Sequence, residues 1–367
     1  MLLPHLLLLH HHHLFTRHSP DDKTLLIHVR HITLLRHRIH CPLILIYISL
    51  FAKDDVLRNA ELEDLFSTAP ESPWDEAPYK DAVQRTPLGG LSLSGFLSEW
   101  ALMTLLDPVK SLANLIYIGY NCNAASALNI TRRRSIDRKR QQTERDVFQC
   151  FVFGPKKAGK SALLMSLLGR PFSDNYVPTT SEQYVVNVVE QHAGKKKTLV
   201  LREIPEDGVK KLLSNKESLA VCDVAIFVYD SSSKYSLRRA SELLLDVTKQ
   251  GEETGFSMPC LLVAAKHDLD SYPTAMEESA KICQGIGIDE PIHVSVKERD
   301  LNNVFSKLLN AAENPHLSVP ETDAGRNRKW YRQLISRSLI FVSVGAATAF
   351  VGMAAYRAYA ARKNSAS

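Results

Sequence analysis

Val147-Phe-Gln-Cys-Phe-Val-Phe-Gly154, Pro155-Lys-Lys-Ala-Gly-Lys-Ser161 and Ala162-Leu-Leu-Met-Ser-Leu-Leu-Gly169, read in that order, decide the fold. The first piece is an apolar, aromatic and β-branched run, the pattern of a buried strand. The third is apolar nearly all round and is closed by Gly169 and Pro171, the pattern of a helix and its stop. Between them stands Gly154-x-x-x-x-Gly159-Lys160-Ser161, a P-loop pattern in its strand–loop–helix setting. Gly154 and Gly159 let the backbone wrap close to phosphate oxygens with no Cβ in the way. The N–H groups of the wrapped loop and of the helix start, through Lys157, Ala158 and Ala162, make an anion cradle. Lys160 is suited to the β- and γ-phosphates, and the Ser161 hydroxyl to Mg²⁺.

Strands and helices alternate downstream of this unit. Tyr184 to Glu190 and Thr198 to Ile204 read as strands around a turn at Ala193-Gly194. Val-Cys-Asp-Val-Ala-Ile-Phe-Val-Tyr-Asp ending at Asp230 reads as a central parallel strand. A helix is expected over 237–249, a buried strand up to Ala265, a helix over 275–286, a last strand from Pro291, and a closing helix over 301–312. That alternation predicts an α/β P-loop domain over 147–315, with a mixed, mostly parallel sheet and the ligand at the strand C-terminal ends.

Three further stretches narrow the nucleotide. Tyr176-Val177-Pro178-Thr179-Thr180 follows the P-loop helix at small-GTPase spacing, where a threonine can give its hydroxyl to Mg²⁺. This makes Thr179 the second Mg²⁺ candidate and, with Lys160, a candidate catalytic residue. Ala265-Lys266-His267-Asp268 ends a strand where small GTPases carry Asn-Lys-x-Asp. Asp268 can accept two hydrogen bonds from a guanine edge, and Lys266 can lie along the base. Ser295-Val296-Lys297 stands where they carry Ser-Ala-Lys. Together these favour guanine and GTP or GDP as the ligand.

Composition sets the outer limits. The chain has 367 residues, 45% hydrophobic and 23% charged, as in globular proteins. The net charge is +5, with basic clusters at 132–145, at 195–197 and around the C-terminal apolar stretch. No aromatic residues interleave the 132–145 cluster, so no nucleic-acid partner is expected. The 6 cysteines form no C-x-x-C pair and read as reduced thiols.

Residues 1–53 differ from the rest, with ten of the chain's 14 histidines between His5 and His40. Three readings stand open: a targeting segment, a His-rich metal tract, or an atypical leader that is not a folded domain. The last is favoured, because the text that follows enters a motif halfway through. From Asp54, Leu57 and Glu61 fit positions 8 and 12 of a calcium loop, but the early ligand positions fall on Leu50, Ala52 and Asp54. In a second such loop Gly89, Leu91 and Gly95 fall at positions 6, 8 and 12, so the bidentate acid is missing there. Residues 54–130 are thus expected to be a partial EF-hand-like helical region, with helices near 57–66 and 95–106 and a helix or strand after Ser111. Ca²⁺ is not an expected ligand. Residues 131–146 read as a solvated basic connector.

At the C-terminus, Ser338 to Tyr356 carries no charge over ~19 residues, enough to span a bilayer. Arg326, Arg328, Lys329, Arg332 and Arg337 precede it within a basic segment, 316–337, and Arg357, Arg362 and Lys363 follow. The expectation is a transmembrane tail anchor at 338–356 with the P-loop domain facing the cytosol.

From about residue 54 the chain resembles the mitochondrial Rho GTPase (Miro) family, in a plant-type form. The resemblance is carried by ELEDLFSTAPESPW, GFLSEWALMTLLDP, NLIYIGY, the run from Thr131 through the P-loop, and the basic-flanked apolar end. It implies a GTPase on the mitochondrial outer membrane that acts in mitochondrial trafficking, distribution and morphology. Its implied partners are cytoskeletal motor adaptors or other mitochondrial proteins. Measured against that family, an N-terminal GTPase and a first EF-hand unit are missing, as in an N-terminally truncated form. There is a departure at the second switch. Where Ras-like proteins carry Asp-x-x-Gly-Gln, this chain has Glu203-Ile204-Pro205-Glu206-Asp207. Hydrolysis is therefore expected to be slow, and a nucleotide-binding scaffold without turnover is the alternative.

Overall fold

The computed structural model describes residues 32–34, 56–120, 128–130, 143, 145–191, 194–331, 353, 354 and 357. The described residues up to Pro320 form one compact unit, and those from Glu321 a second. The first unit opens with a short antiparallel ladder of β1 (Ile32–Leu34) and the later β4 (Leu128–Ile130). β2 (Val56–Leu57) then pairs antiparallel with β3 (Leu91–Ser92), and Leu57 stands opposite Leu91. These are the two residues that count as position 8 of their loops. Both are buried.

Helix α1 (Asn59–Leu65) follows β2. The Glu61 carboxylate accepts the Arg58 N–H at 2.8 Å, so the position-12 acid caps its own helix. Helix α2 runs over Leu93–Leu106, two residues earlier than expected, because Ser92 Oγ accepts the Gly95 N–H at 3.1 Å and caps it there. The ambiguous stretch after Ser111 is helical: α3 spans Pro108–Tyr117, with Asp107 Oδ1 accepting the Lys110 N–H at 2.9 Å. Phe66, Trp74, Phe96 and Trp100 pack in this region with ring centroids 5.1 to 6.2 Å apart. Their core continues without a break into Val147, Tyr184, Val186 and Val200 of the sheet below.

That sheet has six strands in the order β10-β9-β8-β5-β7-β6. They are β5 (Val147–Phe153), β6 (Gln183–Glu190), β7 (Lys196–Glu203), β8 (Val224–Asp230), β9 (Cys260–Ala265) and β10 (Ile292–His293). Only β6 and β7 pair antiparallel; every other neighbouring pair is parallel. Side chains alternate along β5. Phe148, Cys150 and Val152 enter the core under α4 (Lys160–Leu167) and α8 (Val304–Glu313), whereas Phe151 and Phe153 enter the opposite core under α6 (Lys234–Thr254) and α7 (Ala275–Ile286). Between β7 and β8 lies the short α5 (Val209–Ser214).

Several expected boundaries move for local reasons. β7 stops at Glu203 because Pro205 has no N–H to continue the ladder. α6 is longer than 237–249: Ser233 Oγ accepts the Ser236 N–H at 3.2 Å at one end, and Gly255 takes the left-handed conformation at the other. α8 begins at Val304 because Asn302 and Asn303 sit at φ 42° and 53° and make a turn first. The last strand contracts to Ile292–His293.

The helical region grips the edge of the sheet. Ala82 O accepts the Val186 N–H of the edge strand β6 at 2.7 Å. Arg170, just past α4, reaches Asp81 with 3.5 Å between charged atoms. Arg145, expected in a solvated connector, is instead buried and paired with buried Asp223. Asp223 also accepts the Gln149 N–H of β5 at 2.9 Å.

The His-rich stretch 1–53 lies outside the described residues apart from β1, and so does most of 131–146. Among the described residues no helix is long and apolar enough to cross a membrane. The span expected at 338–356 lies outside them apart from Met353 and Ala354.

Candidate nucleotide site

The P-loop leaves β5 at Gly154, where the backbone passes so close to β8 that a Cβ would sit 2.2 Å from Val228 O. With φ at 149°, the position excludes any other side chain on two counts. Lys157 turns the loop through φ 64°, Gly159 through φ 100°, and Gly159 is the N-cap of α4. Ala158 is buried beneath the loop and Ala162 follows in the first turn of the helix. The loop N–H groups and the helix N-terminus are thereby gathered at the C-terminal end of β5.

Lys160 is 6% exposed and donates from Nζ to Gly154 O at 3.0 Å and Pro155 O at 2.9 Å. Its ammonium lies 3.9 Å from the buried Glu203 carboxylate. Burial lowers its pKa, and the Glu203 charge works against that shift. Ser161 Oγ and Thr179 Oγ1 stand 3.1 Å apart, although one lies in the first turn of α4 and the other in the irregular segment before β6. The expected pair of hydroxyls is thus brought together. Glu203 Oε2 is buried with no hydrogen-bond partner. The two neighbouring hydroxyls, and the unsatisfied carboxylate oxygen on the residue facing Lys160, are hard oxygen donors of the kind Mg²⁺ takes.

The second cluster sits at the ends of β8 and β9. Lys266, at φ 58°, places Nζ 2.5 Å from Asp230 Oδ2. Burial alone would raise the Asp230 carboxyl, but hydrogen bonds from Lys266 and Ser232 outweigh it and hold the group below its ordinary value. Asp268 Oδ1 accepts from Ser295 Oγ at 2.8 Å, which ties together the two stretches expected to meet the base. Val296 packs against the core and Lys297 is exposed, both in the turn after Ser295. Ala265 replaces the usual asparagine. A Cβ on Gly159 would be 3.4 Å from its Cβ, so the base stretch meets the P-loop through packing there.

The segment after β7 is acidic and reaches back to the loop. Glu206 Oε2 accepts the Lys156 N–H at 2.9 Å, and Glu206 Oε1 accepts from Arg239 Nε at 2.8 Å. Arg239 Nη1 also donates to Glu242 Oε2 at 2.9 Å. Lys156 Nζ pairs with Asp207 at 2.7 Å, and Lys157 Nζ lies 5.4 Å over the Tyr176 ring. Asp230, Glu206 as a loop contact and Arg239 were not among the expected site residues. Asp230 had a visible signal, a lone acid at the C-terminal end of an apolar strand. Arg239 had none, since it lies mid-helix among other charged residues.

Residues 149–314 match the Ras family, and residues 74–142 match the family described as EF hand associated. The chain is 61% identical to Mitochondrial Rho GTPase 2 of Arabidopsis thaliana, over 85% of this chain and 48% of that protein. Identity to Mitochondrial Rho GTPase 1 of the same plant is 59%, again over 85% of this chain and 48% of the relative. Over the matched residues this chain is similar to mitochondrial Rho GTPases. The similarity reaches beyond plants: Mitochondrial Rho GTPase 1 of Saccharomyces cerevisiae is 31% identical over 84% of this chain and 47% of its own length. Members of the family are thus matched over about half their length by this chain. The match takes in both the EF-hand-like region and the P-loop domain.

Proposed function

We propose that the chain binds GTP and GDP with Mg²⁺ between the P-loop and the Asp268–Ser295 cluster, and that it hydrolyses GTP slowly. The observation that carries the reading is the approach of Ser161 Oγ to Thr179 Oγ1 at 3.1 Å. Two hydroxyls from separate segments converge beside a lysine-bearing anion cradle, which is what a nucleotide-sensing loop needs. In this reading the loop N–H groups orient the phosphates, and Lys160 neutralises charge that develops on them. Ser161 and Thr179 would hold Mg²⁺ directly, and Glu203 through water. When bound, Mg²⁺ supplies charge neutralisation across the β- and γ-phosphates. Asp268 would accept from the guanine edge while Ser295 holds its carboxylate in place.

By the family's printed name, the setting is the mitochondrion. The finer proposal is an outer-membrane protein anchored through 338–356, its P-loop domain facing the cytosol. Its role would lie in mitochondrial trafficking, distribution and morphology, with motor adaptors or other mitochondrial proteins as partners.

One observation favours a second reading. The segment Pro205-Glu206-Asp207 has neither the glycine nor the glutamine that position attacking water in Ras-like proteins. A nucleotide-holding scaffold that recruits partners would need neither. Calorimetry with GTP, GDP and ATP tests binding, and single-turnover hydrolysis by the full chain separates the readings. Selective guanine binding with turnover abolished by Lys160→Ala supports the enzyme. Retained binding with no turnover supports the scaffold. Equal uptake of ATP and GTP would refute the assignment of Asp268.

A further inference from the structure

Glu206 is held at both carboxylate oxygens. One accepts the Lys156 N–H at 2.9 Å, and the other accepts from Arg239 Nε at 2.8 Å. Lys156 belongs to the wrapped loop between Gly154 and Gly159, so its N–H is one of the donors that such loops turn toward phosphate oxygens. A carboxylate on that donor is an anion seated in an anion site. Arg239 is itself braced by Glu242 at 2.9 Å, which fixes the guanidinium that holds Glu206. Three elements therefore converge: the loop, the segment after β7, and α6. Glu206 follows closely on Glu203, the carboxylate nearest the Lys160 ammonium, at 3.9 Å. That ammonium is the group which reaches the β- and γ-phosphates in P-loop proteins, so Glu206 stands toward the terminal-phosphate end.

We propose that Glu206, latched by Arg239, is an internal competitor for the terminal phosphate, and that it sets the chain's preference toward nucleoside diphosphate over triphosphate. The inference rests on the reading of residues 154–161 as a nucleotide cradle. One N–H cannot serve a carboxylate and a phosphate oxygen at full strength. Two negative groups brought to the same donor also repel, which makes Glu206 a built-in repulsive element against the larger ligand. A diphosphate leaves the Lys156–Glu206 contact intact, whereas a triphosphate must displace it. Arg239 raises the cost of displacement, because the carboxylate must also leave its guanidinium partner or move it.

The test is calorimetric titration of the full chain with GDP and with a non-hydrolysable GTP analogue, both with Mg²⁺, for the unaltered protein, Glu206→Ala, Glu206→Gln and Arg239→Ala. Glu206→Ala is expected to tighten the triphosphate analogue about tenfold, with GDP changed by less than about twofold. Glu206→Gln should shift the ratio the same way, since it keeps the shape and removes the charge. Arg239→Ala should shift it by a smaller factor, because the latch is gone but the carboxylate remains. A ratio of the two affinities unmoved by all three substitutions would overturn the competitor and leave the nucleotide site standing. Failure of the unaltered protein to bind either nucleotide would instead bring down the cradle reading, and this proposal with it.

Discussion

Replacing Asp223 by alanine removes the anchor beneath the strand that carries the P-loop. Asp223 is fully buried and faces the equally buried Arg145, and its other oxygen accepts the Gln149 N–H of β5 at 2.9 Å. The substitution leaves a guanidinium without its buried counter-charge, which costs about 3–5 kcal/mol when the charge cannot escape. It also strands a backbone donor, worth about 1–3 kcal/mol by itself. The two losses share one site and do not add fully. Arg145 comes just before β5, at Val147, and can turn toward water in the variant. The expected net loss is therefore about 3 kcal/mol. For a domain of this size that lowers the thermal midpoint by roughly 6–12 °C. Urea unfolding followed by circular dichroism measures it, with an unchanged slope as the sign of an unchanged folded state. A double replacement, Arg145→Met with Asp223→Leu, should recover most of the loss, since no buried charge is then left without its opposite. A single variant within about 0.5 kcal/mol of the unaltered protein would refute the reasoning. So would a double variant worse than the single one.

Glu99 in α2 is buried, and its pKa is pushed up to about 8, by burial first, against the pull of Arg85 and with help from Asp75 and Asp81. The folded state therefore holds a proton that the unfolded chain releases near pH 4.5, so stability should fall as pH rises from there to about 8 and then level off. Glu99→Gln should flatten that slope in denaturation midpoints between pH 5 and 9 and gain ~2 kcal/mol at pH 8.5; an unchanged slope contradicts the assignment. Gly154→Ala should abolish nucleotide binding and cost about 3 kcal/mol or more, because the new Cβ meets Val228 O at 2.2 Å on a backbone that cannot retreat; measurable affinity in a folded variant would count against this. Thr179→Ala should weaken the Mg²⁺ dependence of triphosphate binding about tenfold more than that of diphosphate, read by titration at varied Mg²⁺, and equal weakening would remove Thr179 from the metal set.

Much of this architecture could be read from local pattern. The continuous apolar run of β5, the glycines of the loop and the order of strands and helices are enough to predict the mixed sheet. Counting along each loop puts Leu57 and Leu91 at position 8, but that the two pair across a two-residue ladder is a contact only the folded chain shows. The spacing of Ser161 and Thr179 marks both hydroxyls for one ion, and they meet at 3.1 Å. What escaped is long-range and charged. Arg145 and Asp223 are 78 residues apart, and nothing in a basic run marks one of its members for burial. Arg239 lies 33 residues from Glu206 and joins it only because α6 packs beside the segment after β7. Caps also displaced boundaries: Ser233 and Gly255 lengthen α6 beyond its visibly apolar-periodic part.

The bond from Val186 to Ala82 and the apolar seam shared by Tyr184, Val186 and Val200 with the helical region around Trp74 and Trp100 have a practical consequence. A shortened protein starting at Asp146 would bare an outermost strand and a greasy flank in one stroke, and such surfaces glue molecules to each other. The P-loop half and the helical half are better regarded as a single folding partnership.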